Sequence, residues 1–266
     1  MEYRIGVRED TFDLQGILAD RADDYKLNAC FEMDDDGCLL HVPEEKRREV
    51  SVLLADVIMN GLPQNMVSKL IEKYCSSFNA YDRWRIEHMV LDSWQDMKEN
   101  HGAGFARWSL RVTDEVEDYL LTSKEMMLDG FVRFRLKDWV RYWEQKVKRA
   151  AEELLIEREY MQFIRLLRIF VDTQEPKIDR VNITLDANGQ YLLTDGQGEP
   201  IEDETLFEME DELSRMQLGK ADILLSSLIT ISPGKVHMDA HVARDAEVME
   251  TIRQVFQARL VIDQEP

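Results

Sequence analysis

His237, Asp239 and His241 recur at every second position. On an extended strand alternate side chains leave the same face, so this spacing aligns two imidazoles and a carboxylate. Neutral imidazole and carboxylate together suit zinc or manganese. The chemistry they would serve is metal-dependent hydrolysis. A hydrolase also needs further ligands and an acid–base group, and polar residues are ordinary where a strand meets a loop. The three residues are therefore a candidate metal site and no more.

A second group of chemistry-bearing residues is Arg133, Arg135, Lys137 and Arg141. Arginine presents a planar fork of donors that fits carboxylate or phosphate. Four cations within nine residues are a candidate surface for an anion or a protein partner. Phe131, Phe134, Trp139 and Trp143 interleave with them, as aromatics do where bases stack. The same aromatics at helical spacing also read as a core stripe, and a mixed-charge helix face is commonly solvated or internally paired.

Other patterns lead nowhere catalytic. Cys75 has no catalytic neighbour in sequence, and His88 and His101 sit in helical or loop surroundings. Gly219-Lys220 lacks the spacing of a phosphate-binding loop. Gly102-Ala-Gly104 follows no strand, so it is not a dinucleotide fingerprint. The acidic clusters Asp34–Asp36 and Glu202–Glu212 read most simply as turn and helix-surface residues, and the first lacks the ligand order of a calcium loop. No cofactor is expected.

The whole chain restricts the partner. Its 266 residues carry a formal net charge of −20, which repels nucleic acid and anionic membrane overall. The charge is uneven. Residues 1–123 have 14 basic and 25 acidic side chains, 124–171 have 11 and 8, and 172–266 have 8 and 20. One basic island thus lies between two acidic flanks. The start, MEYRIGVRED, has no apolar signal core, and no apolar run is long enough to span a membrane. Three scattered cysteines fit a reducing compartment. These features predict a cytoplasmic protein with no membrane insertion. The expected partner is another protein, with nucleic acid the alternative. Oligomeric state is left open.

The elements follow from periodicity. Residues 1–42 read as a small α/β segment: a strand at Tyr3–Val7, a helix within Thr11–Tyr25, and a hairpin turned at Asp36-Gly37. That turn puts Phe31, Met33, Cys38, Leu40 and Val42 on one face and Cys30 on the other, against a disulfide between Cys30 and Cys38. Residues 43–128 read as helical, with Pro43 and Pro63 as helix starters and Trp84, Met89, Leu91 and Trp94 turned inward. Residues 177–266 are a C-terminal α/β region. It opens with a hairpin at Asn188-Gly189 that puts Val181, Ile183, Leu185 and Leu192 on one face. An acidic helix near residues 202–213 follows, then an apolar helix or buried strand at Asp222–Thr230. A strand at Lys235–Met238, a helix capped by Asp245 and a strand at Leu260–Ile262 close the chain.

Between these regions, residues 129–176 form a helical spine. Asp129 is its expected N-cap. With Arg133 at zero on a helical wheel, Lys137, Arg141 and Lys148 fall within about 80°. Val132, Leu136, Trp139, Val140, Trp143, Val147 and Leu154 make an adjacent apolar face. Farther on, Ile156, Tyr160, Phe163, Ile164, Leu167 and Val171 cluster on a face turned by roughly 140°. Either the helix breaks near Glu157–Tyr160, or one straight helix buries different sides along its length. With no Gly or Pro to force a break, the second reading is preferred.

The strings GFVRFRLKDW and VKRAAEELLIEREYMQFIRLLRIFVDTQEPKIDRVNI, within residues 129–183, and DILLSSLITISPGKVHM, within 221–238, resemble the YtxC-like family of sporulation proteins of endospore-forming bacteria. The resemblance implies a cytosolic role connected with sporulation. It implies no reaction, cofactor or catalytic residue.

The expected fold class is α+β: a mainly helical centre built on a long helix or helix pair, flanked by two small α/β pieces containing β-hairpins. The expected function is a non-enzymatic interaction or regulatory protein connected with sporulation. An anion- or nucleic-acid-binding protein using the basic helix is the alternative, and a metal-dependent hydrolase the second.

Overall fold

A computed structural model describes residues 2–7, 13–22, 24–25, 27, 31–34, 37–100, 102–186, 190–201, 220–239, 242 and 246–262. The fold is α+β and mainly helical, with two small mixed sheets. The chain divides into two compact units, Met1–Leu155 and Ile156–Pro266.

In the first unit, β1 (Glu2–Gly6) lies between β3 (Gly37–His41) and β4 (Glu125–Met127), and β2 (Phe31–Asp34) borders β3. β1 is antiparallel to β3 and parallel to β4. The opening segment thus shares a sheet with Glu125–Met127, a strand inside the stretch read as helical. α1 (Leu14–Ala22) and α2 (Arg47–Gly61) precede α3 (Pro63–Tyr74), α4 (Ala80–Glu99) and α5 (Ala103–Thr122). α2 is central. Its Val50, Leu53, Leu54, Val57 and Ile58 recur at three and four residues, the spacing of one wide helical face, and all are buried. Pro63 opens α3, where its missing N–H costs nothing. Asn79 caps α4, accepting from the Asp82 amide at 2.9 Å.

The spine is two helices, α6 (Leu128–Arg135) and α7 (Lys137–Thr173). They part at Leu136, whose backbone leaves helical geometry while its N–H still donates to the Val132 carbonyl. The residues expected to face inward do so: Val132, Leu136, Trp139, Trp143, Val147 and Leu154 are buried. Trp139 centres an aromatic cluster, with Trp94 and Trp108 each 4.9 Å away between ring centroids. Such T-shaped contacts set the positive edge of one ring against the negative face of another.

In the second unit, β5 (Ile178–Leu185) is flanked by β6 (Tyr191–Thr194), antiparallel, and β7 (Pro233–Met238), parallel. β8 (Leu260–Ile262) extends the sheet in parallel beside β7. α8 (Lys220–Ile231) and α9 (Ala246–Phe256) supply Leu224, Leu228, Ile252 and Phe256 to a core shared with Val181, Ile183, Val236 and Met238. Asp222–Thr230 is therefore helical, resolving the ambiguity of its short apolar run.

Several expectations are corrected. The spine breaks at Leu136, which was not expected, while α7 runs unbroken through Glu157–Tyr160 as the preferred reading had it. Its buried residues Val147 and Ile164 lie about 100° apart around the helix, less than the expected 140°. Ile164, Leu167 and Val171 turn inward as anticipated, but Ile156 and Phe163 are exposed. Asp129 does not cap a helix; it lies in the first turn of α6, whose N-cap is Met127. Pro43 precedes a single 3-10 turn rather than opening α2. Trp84 is exposed, stacked on Tyr81, and Ile86 takes the inward position on α4.

The C-terminal hairpin has Ile183 opposite Leu193 and Thr184 opposite Leu192. This is one residue out of the register expected from Asn188-Gly189, and a one-residue slip reverses a strand's faces. Leu192 therefore lies opposite in face to Val181 and Ile183. In the N-terminal hairpin, Asp34 pairs with Gly37, a two-residue shift that keeps the face of Cys38 and Leu40. Gly37 has φ +141, and a Cβ there would stand 2.5 Å from the Ile5 carbonyl oxygen, so both its backbone and the close approach of β1 require glycine. The expected turn residues Asp36, Asn188 and Gly189, the acidic helix near 202–213, Asp245 and Cys30 lie outside the described residues.

Candidate functional site

Arg133, Arg135, Lys137 and Arg141 are all exposed. Arg141 lies 3.4 Å from Asp138 in an ion pair that also takes in Arg111. The Arg111 side-chain hydrogen bond, then its charge, holds the Asp138 carboxyl below its ordinary value. Among the described residues, no carboxylate ion-pairs with Arg133, Arg135 or Lys137.

These cations do not form one stripe. Arg133 and Arg135 stand two residues apart on α6, which directs them about 200° apart around the helix. Lys137 begins α7, beyond the break at Leu136. Of the interleaved aromatics, Phe131, Trp139 and Trp143 are buried, and Phe134 is 68% exposed. The Arg133 guanidinium lies 5.6 Å from the Phe134 ring centroid.

Arg133 lines a groove of about 310 Å³ between α3, α6 and the start of α7. Leu62, Met66, Leu70, Val132 and Val140 give it apolar walls, and Asn65, Lys69, Asp129 and Arg133 give it polar groups. The helical repeat places Met66 and Leu70 on one side of α3, with Asn65 and Lys69 beside them. On α6 the same repeat brings Asp129, Val132 and Arg133 to one side. The Asp129 Oδ1 oxygen is buried and accepts no hydrogen bond among the described residues. A buried acceptor without a donor costs about 1–3 kcal/mol. A ligand offering an N–H or a cation beside an apolar group would remove that cost.

Arg135 lines a different groove, of about 460 Å³, with Arg4, Tyr119, Phe131 and Phe134. Its guanidinium is 5.8 Å from the Tyr119 ring centroid. Cation and exposed aromatic together suit an anion or an unstacked base.

His237 and Asp239 stand two residues apart at the end of β7, while His241 lies outside the described residues. Among the described residues, no three His, Cys, Asp or Glu side chains come together as a metal-binding group. Cys38 and Cys75 are buried, and burial pushes the Cys75 thiol up. His88 is exposed, its Nδ1 2.9 Å from the Trp84 carbonyl oxygen, and His101 is outside the described residues. No described helix is long and apolar enough to cross a membrane.

Sequence reading named Arg133 but missed its groove. Asp129 was visible only as a helix-capping residue. Asn65 and Lys69 give no local signal, because the groove joins residues more than sixty positions apart.

The model of the YtxC-like family matches residues 48–261. The uncharacterized protein YtxC of Bacillus subtilis (strain 168) is 27% identical over 203 residues, 74% of this chain and 69% of the relative. No solved structure matches the chain.

Proposed function

This chain belongs to the YtxC-like family, and we propose that it is a non-enzymatic interaction protein, connected with sporulation, that holds a segment of a partner protein in the Asp129–Arg133 groove. The observation that carries this reading is the buried, unpartnered Asp129 Oδ1 oxygen in a groove with apolar walls. The partner segment inserts one or two apolar side chains and donates a hydrogen bond to Asp129. Arg133 and Lys69 supply donors for a carboxylate or carbonyl on the same segment. The sporulation connection comes from the resemblance of the strings along the spine and α8.

Affinity capture from sporulating cells tests the reading. Native protein recovers a partner that Asp129→Ala and Met66→Glu lose, while both variants keep native circular dichroism. Recovery of the same partners in the same yield by all three proteins would sink it.

The second reading, an anion or nucleic-acid ligand, is favoured by exposed Phe134 beside Arg133 and Arg135. Salt-dependent binding to a generic DNA duplex, abolished by Arg133→Glu with Lys137→Glu, would establish it in place of the protein partner.

A further inference from the structure

The second half of α7 has apolar side chains on two adjoining sides. Set Leu166 at zero and advance 100° per residue. Leu167, Tyr160, Val171 and Ile164 then fall between about 100° and 160°. Ile164 and Val171 belong to the core of the second unit, Leu167 packs on it, and the Tyr160 hydroxyl lies 3.2 Å from Thr251 Oγ1. Ile169, Leu166, Phe170, Phe163 and Ile156 fall between about −60° and 80°. They are 54%, 66%, 47%, 54% and 65% exposed.

This is more than scattered surface leucine. Taking about 200 Å² for a fully exposed large side chain, the five leave on the order of 500 Å² open, near the upper end of what a monomer exposes in one patch. Two copies covering each other would remove about 1,000 Å² from these residues alone, where specific interfaces begin. Glu159, Gln162 and Thr173 share the arc and add to that area.

We propose that this stripe is the interface between two copies of the chain, with their α7 helices packed antiparallel along Ile156, Glu159, Phe163, Leu166, Phe170 and Thr173. Their spacing of three, four, three, four and three residues reads the same in both directions. A stripe of this kind meshes with its own reverse, as an isologous two-fold contact requires. Phe163 meets the partner's Leu166, and Glu159 lies beside the partner's Phe170. Charge selects the direction. A parallel pair sets Glu159 against the partner's Glu159 within an apolar seam, where like charges repel strongly. The antiparallel pair separates the two carboxylates by about 16 Å.

Sedimentation velocity of the full chain tests the proposal. The expected species has twice the 31.2 kDa chain mass, and Phe163→Glu with Leu166→Glu converts it to a folded monomer with unchanged helicity. Persistence of the dimer in that variant overturns the proposal. So does a native monomer at all concentrations, whether the stripe then stays open or is covered by residues 202–219 or by another protein. Orientation is read by oxidative cross-linking, with the unsubstituted chain as control. Phe163→Cys chains mixed with Leu166→Cys chains form cross-linked dimers, whereas Ile156→Cys chains do not join to one another. Efficient joining of Ile156→Cys chains contradicts the antiparallel arrangement.

Discussion

The Arg259 guanidinium donates to the Val171 carbonyl oxygen at 2.7 Å, which ties the start of β8 to the last turn of α7. The same side chain reaches the Pro233 carbonyl at 2.8 Å and the Gln174 carbonyl at 3.4 Å. The last carbonyls of a helix have no intrahelical partner, and a cation there also favours the helix dipole. Arg259→Met is expected to lower the stability of the second unit by about 2–3 kcal/mol, from lost charge-assisted bonds. Arg259→Lys restores only part of it, because an ammonium cannot span the same carbonyls. Chemical denaturation followed by hydrogen exchange in β5 checks this; unchanged exchange in Arg259→Met would refute it.

Ser232 ends α8 with φ +47, and its amide donates to the Leu228 carbonyl at 3.0 Å. This left-handed helix end is where glycine is favoured, since a Cβ there is strained. The Ser232 hydroxyl is buried without a partner among the described residues. Ser232→Gly removes both penalties and adds unfolded-state entropy. The expected net is a gain of about 1 kcal/mol, seen as a higher Tm; a lower Tm would contradict the assigned backbone conformation.

Asp138 provides a pH signature in the first unit. Its carboxyl is held below the ordinary 3.8 by the Arg111 hydrogen bond, the Arg111 charge and then Arg141. A depressed native value means stabilisation that is present above the unfolded value and lost as pH falls through the folded one. Carboxylate titration by NMR should show Asp138 returning toward 3.8 in Arg111→Gln. An identical titration in both proteins would show that the pair is not formed in solution.

The inward residues of the spine were legible because Trp139, Trp143, Val147 and Leu154 repeat at four, four and seven positions. The break at Leu136 was not: no Gly or Pro marks it, and the Leu136 amide still completes a helical hydrogen bond to Val132. That break also dispersed the basic group, since Arg133, Lys137 and Arg141 share a face only on an unbroken helix. β6 was found, but its faces were reversed. The Asp186 amide donates to the Gln190 carbonyl at 2.9 Å, and its carboxylate accepts from the Gln190 amide at 2.8 Å. Pairing thus closes outside the two residues that the Asn-Gly signal selected. The exposure of Ile156 and Phe163 was illegible for another reason: periodicity finds an apolar side but not what covers it. The groove at Asp129 was illegible because α3 and α6 meet only in the folded chain.

The most direct test places a photo-reactive benzoylphenylalanine at Asn65, on the groove, or at exposed Tyr81 as control, in sporulating cells. A partner occupying the Asp129–Arg133 groove gives a covalent adduct from position 65, absent from position 81 and reduced at least tenfold by Asp129→Ala. No adduct from position 65, or the same adducts from both positions regardless of Asp129, would contradict the groove as the site of action.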